Sequence, residues 1–273
     1  MPASTVWPAA VSQRSADLVG GSEPVRARVL GAFPTAVYLL VSDRVLPVVT
    51  SDALRLPTSV VVAQPARLVG WGVQPGDRVS VGRGEVRLPD VTLRGVRSWR
   101  PPRVPVCART PMVPTDFGVD GAWSAAARTV VDTVLAGGDV DARVSVLIGA
   151  GVGLTPSGDD VLCGILLGLR LRGSAAAAET LWRATRPWLA ATTSLSASLL
   201  TEASHGYAVP PVVRLARALA GADLAAVGRA VDEVLAIGHT SGADLLAGFG
   251  AALAPKGTAA PVRPLTALEG ARR

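Results

Sequence analysis

The sequence predicts an α+β protein, with an N-terminal small β barrel or sandwich followed by a C-terminal helical domain. Short β-branched runs separated by turn residues fill roughly the first hundred positions. A proline-rich stretch, "RPPRVPVCARTPMVPTDFG", then removes backbone donors and disfavours helix in the residues before each proline. Beyond it, apolar residues recur at helical spacing on Ala- and Leu-rich faces. At 273 residues, 49% hydrophobic and 18% charged, the chain suits one large or two modest domains and is too apolar for disorder.

Taken in order, residues 1–22 read as an N-terminal extension without the unbroken apolar segment of a signal peptide. Residues 23–105 hold the runs "VRARVL", "TAVYLLVS", "RVLPVVT", "TSVVVA", "DRVSVG", "GEVRL" and "VTLRGVRSW". A barrel or sandwich suits them because closure or stacking removes exposed sheet edges. Residues 106–120 are the expected connection, and 121–254 the helical domain. Helices are expected near 121–136, 139–149, 158–172, 175–191, 193–204, 210–220, 223–236 and 242–253, followed by a mobile tail at 255–273. The apolar stretches fall short of the roughly 20 residues that span a bilayer, so a cytoplasmic protein with no membrane partner is expected. Cys107 and Cys163 are far apart and suggest neither a disulfide framework nor a zinc site; Cys163 reads as core.

The net charge of +6 comes entirely from residues 1–110. Arg94, Arg97, Arg100 and Arg103 interleave with Trp99 there, an arrangement that nucleic-acid-binding proteins use. Arginine on an outer strand face is more ordinarily a solubilising device, so nucleic acid is disfavoured as a partner.

Two octapeptides of the helical half match S-G-x-D-x-L-x-G: Ser157–Gly164, "SGDDVLCG", and Ser241–Gly248, "SGADLLAG". Each is preceded by a threonine and a glycine, Thr155 with Gly153 and Thr240 with Gly238, which suggests an internal duplication. Ser157 and Ser241 read as N-caps, with Asp160 and Asp244 favoured by the helix dipole. Below each aspartate runs a stripe of small residues at four-residue spacing: Gly164 and Gly168 in the first copy, Gly248 and Ala252 in the second. Such stripes let two helix backbones approach, which would bring both aspartates to one place.

Capping alone does not require "GAGVGLTPSG", whose backbone amides from Gly153 to Gly158, with the Thr155 and Ser157 hydroxyls, could hold an anion. The candidate ligand-binding set is therefore Gly153, Thr155, Ser157, Gly158, Asp159, Thr240, Ser241, Gly242 and His205, and the candidate catalytic set is His239, Asp160 and Asp244. His205 and His239 are the only histidines. His239, at the entrance of the second motif, is placed to move a proton. Asp160 and Asp244 could orient an arginine, accept from a substrate NH2 group, or hold a divalent cation; no cofactor is otherwise indicated.

"GLTPSGDDVLCG", "TTSLSASLLTEASHG" and "IGHTSGADLLAGF" resemble the AllH-like family, over about residues 25–253. The resemblance implies one subunit of an oxamate carbamoyltransferase, a complex that exchanges a carbamoyl group between oxamate and phosphate to form carbamoyl phosphate. It also implies partner subunits and a small anionic substrate. Two alternatives stay open: a non-catalytic metabolite-binding subunit, and the less favoured nucleic-acid-binding role.

Overall fold

A computed structural model describes residues 5–107, 117–119 and 123–254, and the chain forms two compact units, Met1–Pro102 and Arg103–Arg273. In the first unit eight strands close into a barrel. They are β1 (Thr5–Ser12), β2 (Val25–Phe33), β3 (Ala36–Val41), β4 (Arg44–Val49), β5 (Val60–Val62), β6 (Arg78–Gly82), β7 (Glu85–Arg87) and β8 (Val91–Trp99). Their order around the barrel is β1-β5-β4-β3-β2-β6-β7-β8, with β8 returning to β1. The α+β class holds, and of the two β architectures expected, the barrel is the one found. Strands β2 to β8 lie on the seven runs read from the sequence.

Residues 5–22 are not an extension. Thr5–Ser12 is a full barrel strand, parallel to β8 from Thr5↔Val91 to Ser12↔Trp99 and antiparallel to β5, and a short helix, α1 (Ala16–Gly20), follows it. Pro8 brings no N–H to this strand, but its carbonyl still accepts from the Ala63 amide at 3.3 Å. The register with β8 shifts one residue later, between Ala9 and Ala10.

Side chains alternate along these strands with period two. Ala9, Val11, Val37, Leu39, Val41, Leu46, Val48, Val60 and Val62 join one large cluster. Their neighbours Ala10, Ala36, Val49 and Val61 form a smaller patch under Tyr38 and Trp99. Trp99 also donates its indole N–H to the Ser59 carbonyl at 3.1 Å. It is therefore partly buried and anchored against the smaller patch. Arg94 pairs with Glu85, and Arg103 falls in the other unit.

The second unit holds α2 (Ser124–Leu135), α3 (Asp141–Leu147), α4 (Ser157–Leu171), α5 (Ala175–Thr185), α6 (Ser194–Ser204), α7 (Pro210–Ala220), α8 (Leu224–Leu235) and α9 (Ser241–Leu253). The helix expected over 175–191 ends at Thr185 and continues as a 3₁₀ segment, Arg186–Ala191, because Pro187 cannot donate to the α-helical ladder. Prolines 210 and 211 instead open α7, where their missing donors cost nothing. Most of the connection at 106–120, the start of the helix placed at 121–136, and the whole tail 255–273 lie outside the described residues.

Helix α4 is the axis of this unit, with every residue from Gly158 to Leu169 buried. No helix among the described residues is long and apolar enough to cross a membrane.

Candidate functional site

The site is built by the close approach of α4 and α9. A side chain at Gly164 would collide with the Leu245 carbonyl and one at Gly248 with the Val161 carbonyl, so each helix uses its glycine to admit the backbone of the other. One turn further, a Cβ on Gly168 would stand 2.7 Å from the Ala252 Cβ. The contacts advance in the same direction along both helices, which are therefore parallel, and both positive dipole ends come together. At that end the Thr155 and Ser241 hydroxyls are hydrogen-bonded at 2.9 Å. Two motifs 84 residues apart in the chain thus meet at their N-terminal ends.

Neither serine caps its helix. Ser157 and Ser241 are the first helical residues, the flanking positions are Pro156 and Thr240, and no side chain closes a cap bond at either start. A backbone carbonyl does this work instead. The Gly158 amide donates to the Ala150 carbonyl at 2.9 Å, and the Gly242 amide to the Ile237 carbonyl at 3.0 Å. Both positions must be glycine, since a Cβ would strike the Leu147 carbonyl in the first copy and the Val234 carbonyl in the second. The duplication read from the sequence therefore reaches back to the preceding helices α3 and α8. It also means that Gly158 and Gly242 have no amide left for an anion. The amides of Gly151 to Thr155 find no acceptor among the described residues, and Gly151 and Gly153 turn through positive φ of 115° and 95°.

The three carboxylates have different surroundings. Asp159 is 1% exposed; its Oδ1 accepts the Gly149 amide at 2.9 Å and its Oδ2 accepts the Thr192 hydroxyl. Burial raises its pKa, and hydrogen bonding from Thr192 and Gly149 offsets part of the rise. This residue ties the 149–156 loop to the entrance of α6, and both its oxygens are occupied.

Asp160, 6% exposed, is the opposite case. Oδ2 of Asp160 and Oδ2 of Asp244 are both buried and accept no hydrogen bond among the described residues. Burial first, then the charges of Asp244 and Asp159, push Asp160 up to about 7, while the neighbouring Ser241 and Thr155 hydroxyls oppose the shift. Buried polar atoms are nearly always satisfied in folded proteins, so two orphaned carboxylate oxygens facing one junction stand out. Ionised, they accept only; protonated, one can donate. That donor set suits an NH2 or amide group. No cluster of three or more His, Cys, Asp or Glu among the described residues is placed to hold a metal.

Neither histidine is hydrogen-bonded to this pair among the described residues. His239 and Thr240 are exposed on the turn before α9, and His239 makes no hydrogen bond among the described residues. His205 caps the far end of α6, with Nδ1 2.8 Å from the Thr201 carbonyl. Eleven residues of α6 separate that end from the Thr193 entrance near Asp159, about 16 Å at 1.5 Å per residue. The structure therefore joins Thr155, Asp160, Ser241 and Asp244, sets Gly153, Ser157, Thr240 and His239 around them, and leaves His205 outside. Sequence reasoning misses Ser196: it is buried at the start of α6, beside Asp159, and nothing in a Ser-rich helix marks it.

No solved structure matches the chain. The segment that matches a family model begins at residue 147, whereas the resemblance was expected over about residues 25–253. Residues 147–253, from the last residue of α3 to the last of α9 and including both motifs, match the family model described as oxamate carbamoyltransferase subunit AllH.

Proposed function

We propose that the junction of α4 and α9 binds a small carbamoyl- or amide-bearing carboxylate, and that the chain serves as one subunit of a carbamoyltransferase. One observation carries the reading: Asp160 and Asp244 converge there with a buried, unpartnered oxygen each. A ligand NH2 group supplies the donors that both oxygens lack, and its anionic end faces the open amides of Gly151 to Thr155 at the shared positive dipole end. Gly153, Thr155, Ser157, Thr240 and Ser241 would frame that ligand.

Transfer of a carbamoyl group from an oxamate nitrogen to phosphate forms a C–O bond to phosphate and breaks the C–N bond. The departing nitrogen then requires a proton. Asp160, pushed up to about 7, would supply it in its protonated fraction, while Asp244 would orient the NH2 group and His239 would line the rim. The family description names a subunit, which also supports partner chains that complete the site or carry the turnover.

The test is calorimetric titration of oxamate and of carbamoyl phosphate into wild type and Asp160→Asn, beside a transfer assay on the chain alone and with its partner subunits. The expected result is at least tenfold weaker binding in the variant, with a Tm within a few degrees of wild type. A variant that loses stability but keeps its affinity overturns the reading. Binding without turnover by the isolated chain assigns catalysis to the assembly.

A further inference from the structure

We propose that the helical unit holds a second ligand site, for a small organic carboxylate, in a cavity at the C-terminal end of α4. The cavity has a volume of about 160 Å³, and its lining includes Leu166, Arg170, Ala178, Glu179, Trp182 and Ser204. A cavity of about 150 Å³ admits benzene, so the space fits a ligand of that order. Arg170 lies ten residues along α4 from Asp160, about 15 Å at 1.5 Å per residue, so this inference does not depend on the reading of the helix entrances.

Arg170 is held in place by built features. Its Nε donates to the Val104 carbonyl at 2.7 Å. Gly206, at φ +81°, leaves room for the side chain, because a Cβ there would collide with the Arg170 Cδ and Nε. Arg103 stands beside it, fixed to the His205 carbonyl through Nε at 3.0 Å and Nη2 at 2.5 Å and lying over the Tyr207 ring at 4.9 Å. Among the described residues no carboxylate forms an ion pair with either guanidinium. Glu179, in the cavity wall, is bound instead to Arg183 at 3.0 Å on the exposed side of α5. Burial lowers the pKa of Arg170 and the Arg103 charge lowers it further. Two neighbouring cations, one of them partly desolvated, therefore lack a counter-charge, and a bound anion would offset the cost of both.

The remaining groups define the anion's class. The Nη groups of Arg170 match a planar carboxylate. Trp182 contributes a flat apolar wall and an indole N–H that no described residue accepts. Ser204 already donates its hydroxyl to the Thr201 carbonyl at 2.7 Å, so toward the cavity it can only accept, which favours a ligand bearing a hydroxyl or amino donor. A phosphate dianion fits less well, with few donors to satisfy it and Glu179 in the wall.

Trp182 is half-buried and lines this cavity. The test is NMR titration of the full ¹⁵N-labelled chain with glycolate, ethylene glycol and inorganic phosphate, following the Trp182 indole signal assigned through Trp182→Phe. The expected result is a saturable shift with glycolate, absent with ethylene glycol and weaker with phosphate. Arg170→Gln should weaken glycolate binding at least tenfold. Ala178→Leu, which fills the cavity and leaves Arg170 untouched, should abolish it, and this variant decides if Arg170→Gln fails to fold. No saturable shift in wild type, unchanged affinity in a folded Arg170→Gln, retained binding in Ala178→Leu, or tighter binding of phosphate each overturns the proposal.

Discussion

Replacing Asp160 by asparagine removes one titratable group from a buried position and keeps its shape, so the difference between the two proteins isolates what that carboxyl does to stability. In the folded chain Asp160 is pushed from its ordinary 3.8 up to about 7. Between those values the folded state holds a proton that the unfolded state has released, so wild-type stability falls as pH rises through the window and levels off above the folded pKa. At 1.36 kcal/mol per pKa unit, the loss is about 4 kcal/mol over the whole window and about 2–3 kcal/mol between pH 5 and pH 8. The amide of the variant does not titrate, so Asp160→Asn should gain about 2–3 kcal/mol relative to wild type on moving from pH 5 to pH 8. Urea unfolding of both proteins at several pH values measures this. Taking the difference cancels groups whose pKa is lowered, such as Asp17 and Glu85, which act with the opposite sign. A pH-independent difference would refute the claim that Asp160 is a carboxyl whose desolvation outweighs the hydroxyls beside it.

Three further outcomes are expected. Gly164→Ala and Gly248→Ala each drive a Cβ into a carbonyl of the facing helix, and should cost at least about 2–3 kcal/mol in denaturant unfolding, whereas Gly228→Ala, on the exposed side of α8 with open space around it, should stabilise by up to about 1 kcal/mol. A double-mutant cycle of Thr155→Val and Ser241→Ala should show a coupling of about 1 kcal/mol, since their hydroxyls join the two motifs; zero coupling would mean that the bond does not persist in solution. Asp159→Ala strands the Gly149 amide and the Thr192 hydroxyl, and should cost about 2–4 kcal/mol while raising hydrogen exchange at Gly149.

The fold is largely legible in the sequence because its signals are local. Seven β-branched runs bounded by Gly, Pro, Asp and Ser become seven strands, and the helical pattern places α2 to α9 within a few residues. What stays hidden depends on partners distant in sequence. "TVWPAAVS" has a proline and two alanines, and only pairing with β5 and β8 makes it a strand. The convergence of the two motifs is readable from their small-residue stripes, since glycine every fourth residue has a strong packing meaning. The serines do not cap because carbonyls of the preceding loops reach Gly158 and Gly242, which the sequence does not reveal. Asp159 and Asp160 are neighbours of the same type, yet one is saturated by Gly149 and Thr192 and the other is not; adjacent helical positions point in different directions, and what lies in each is set by segments distant in sequence.

The parallel seam between β1 and β8 also sets a timetable. Strand β1 leaves the ribosome long before its second neighbour, because Val91 to Trp99 emerge some ninety residues later. At about 5–20 residues per second that is a delay on the order of several seconds, during which one edge of the nascent sheet has no lasting cover. Trimming the first dozen residues as a dispensable leader would make that gap permanent, leaving an unclosed sheet prone to pairing with other chains.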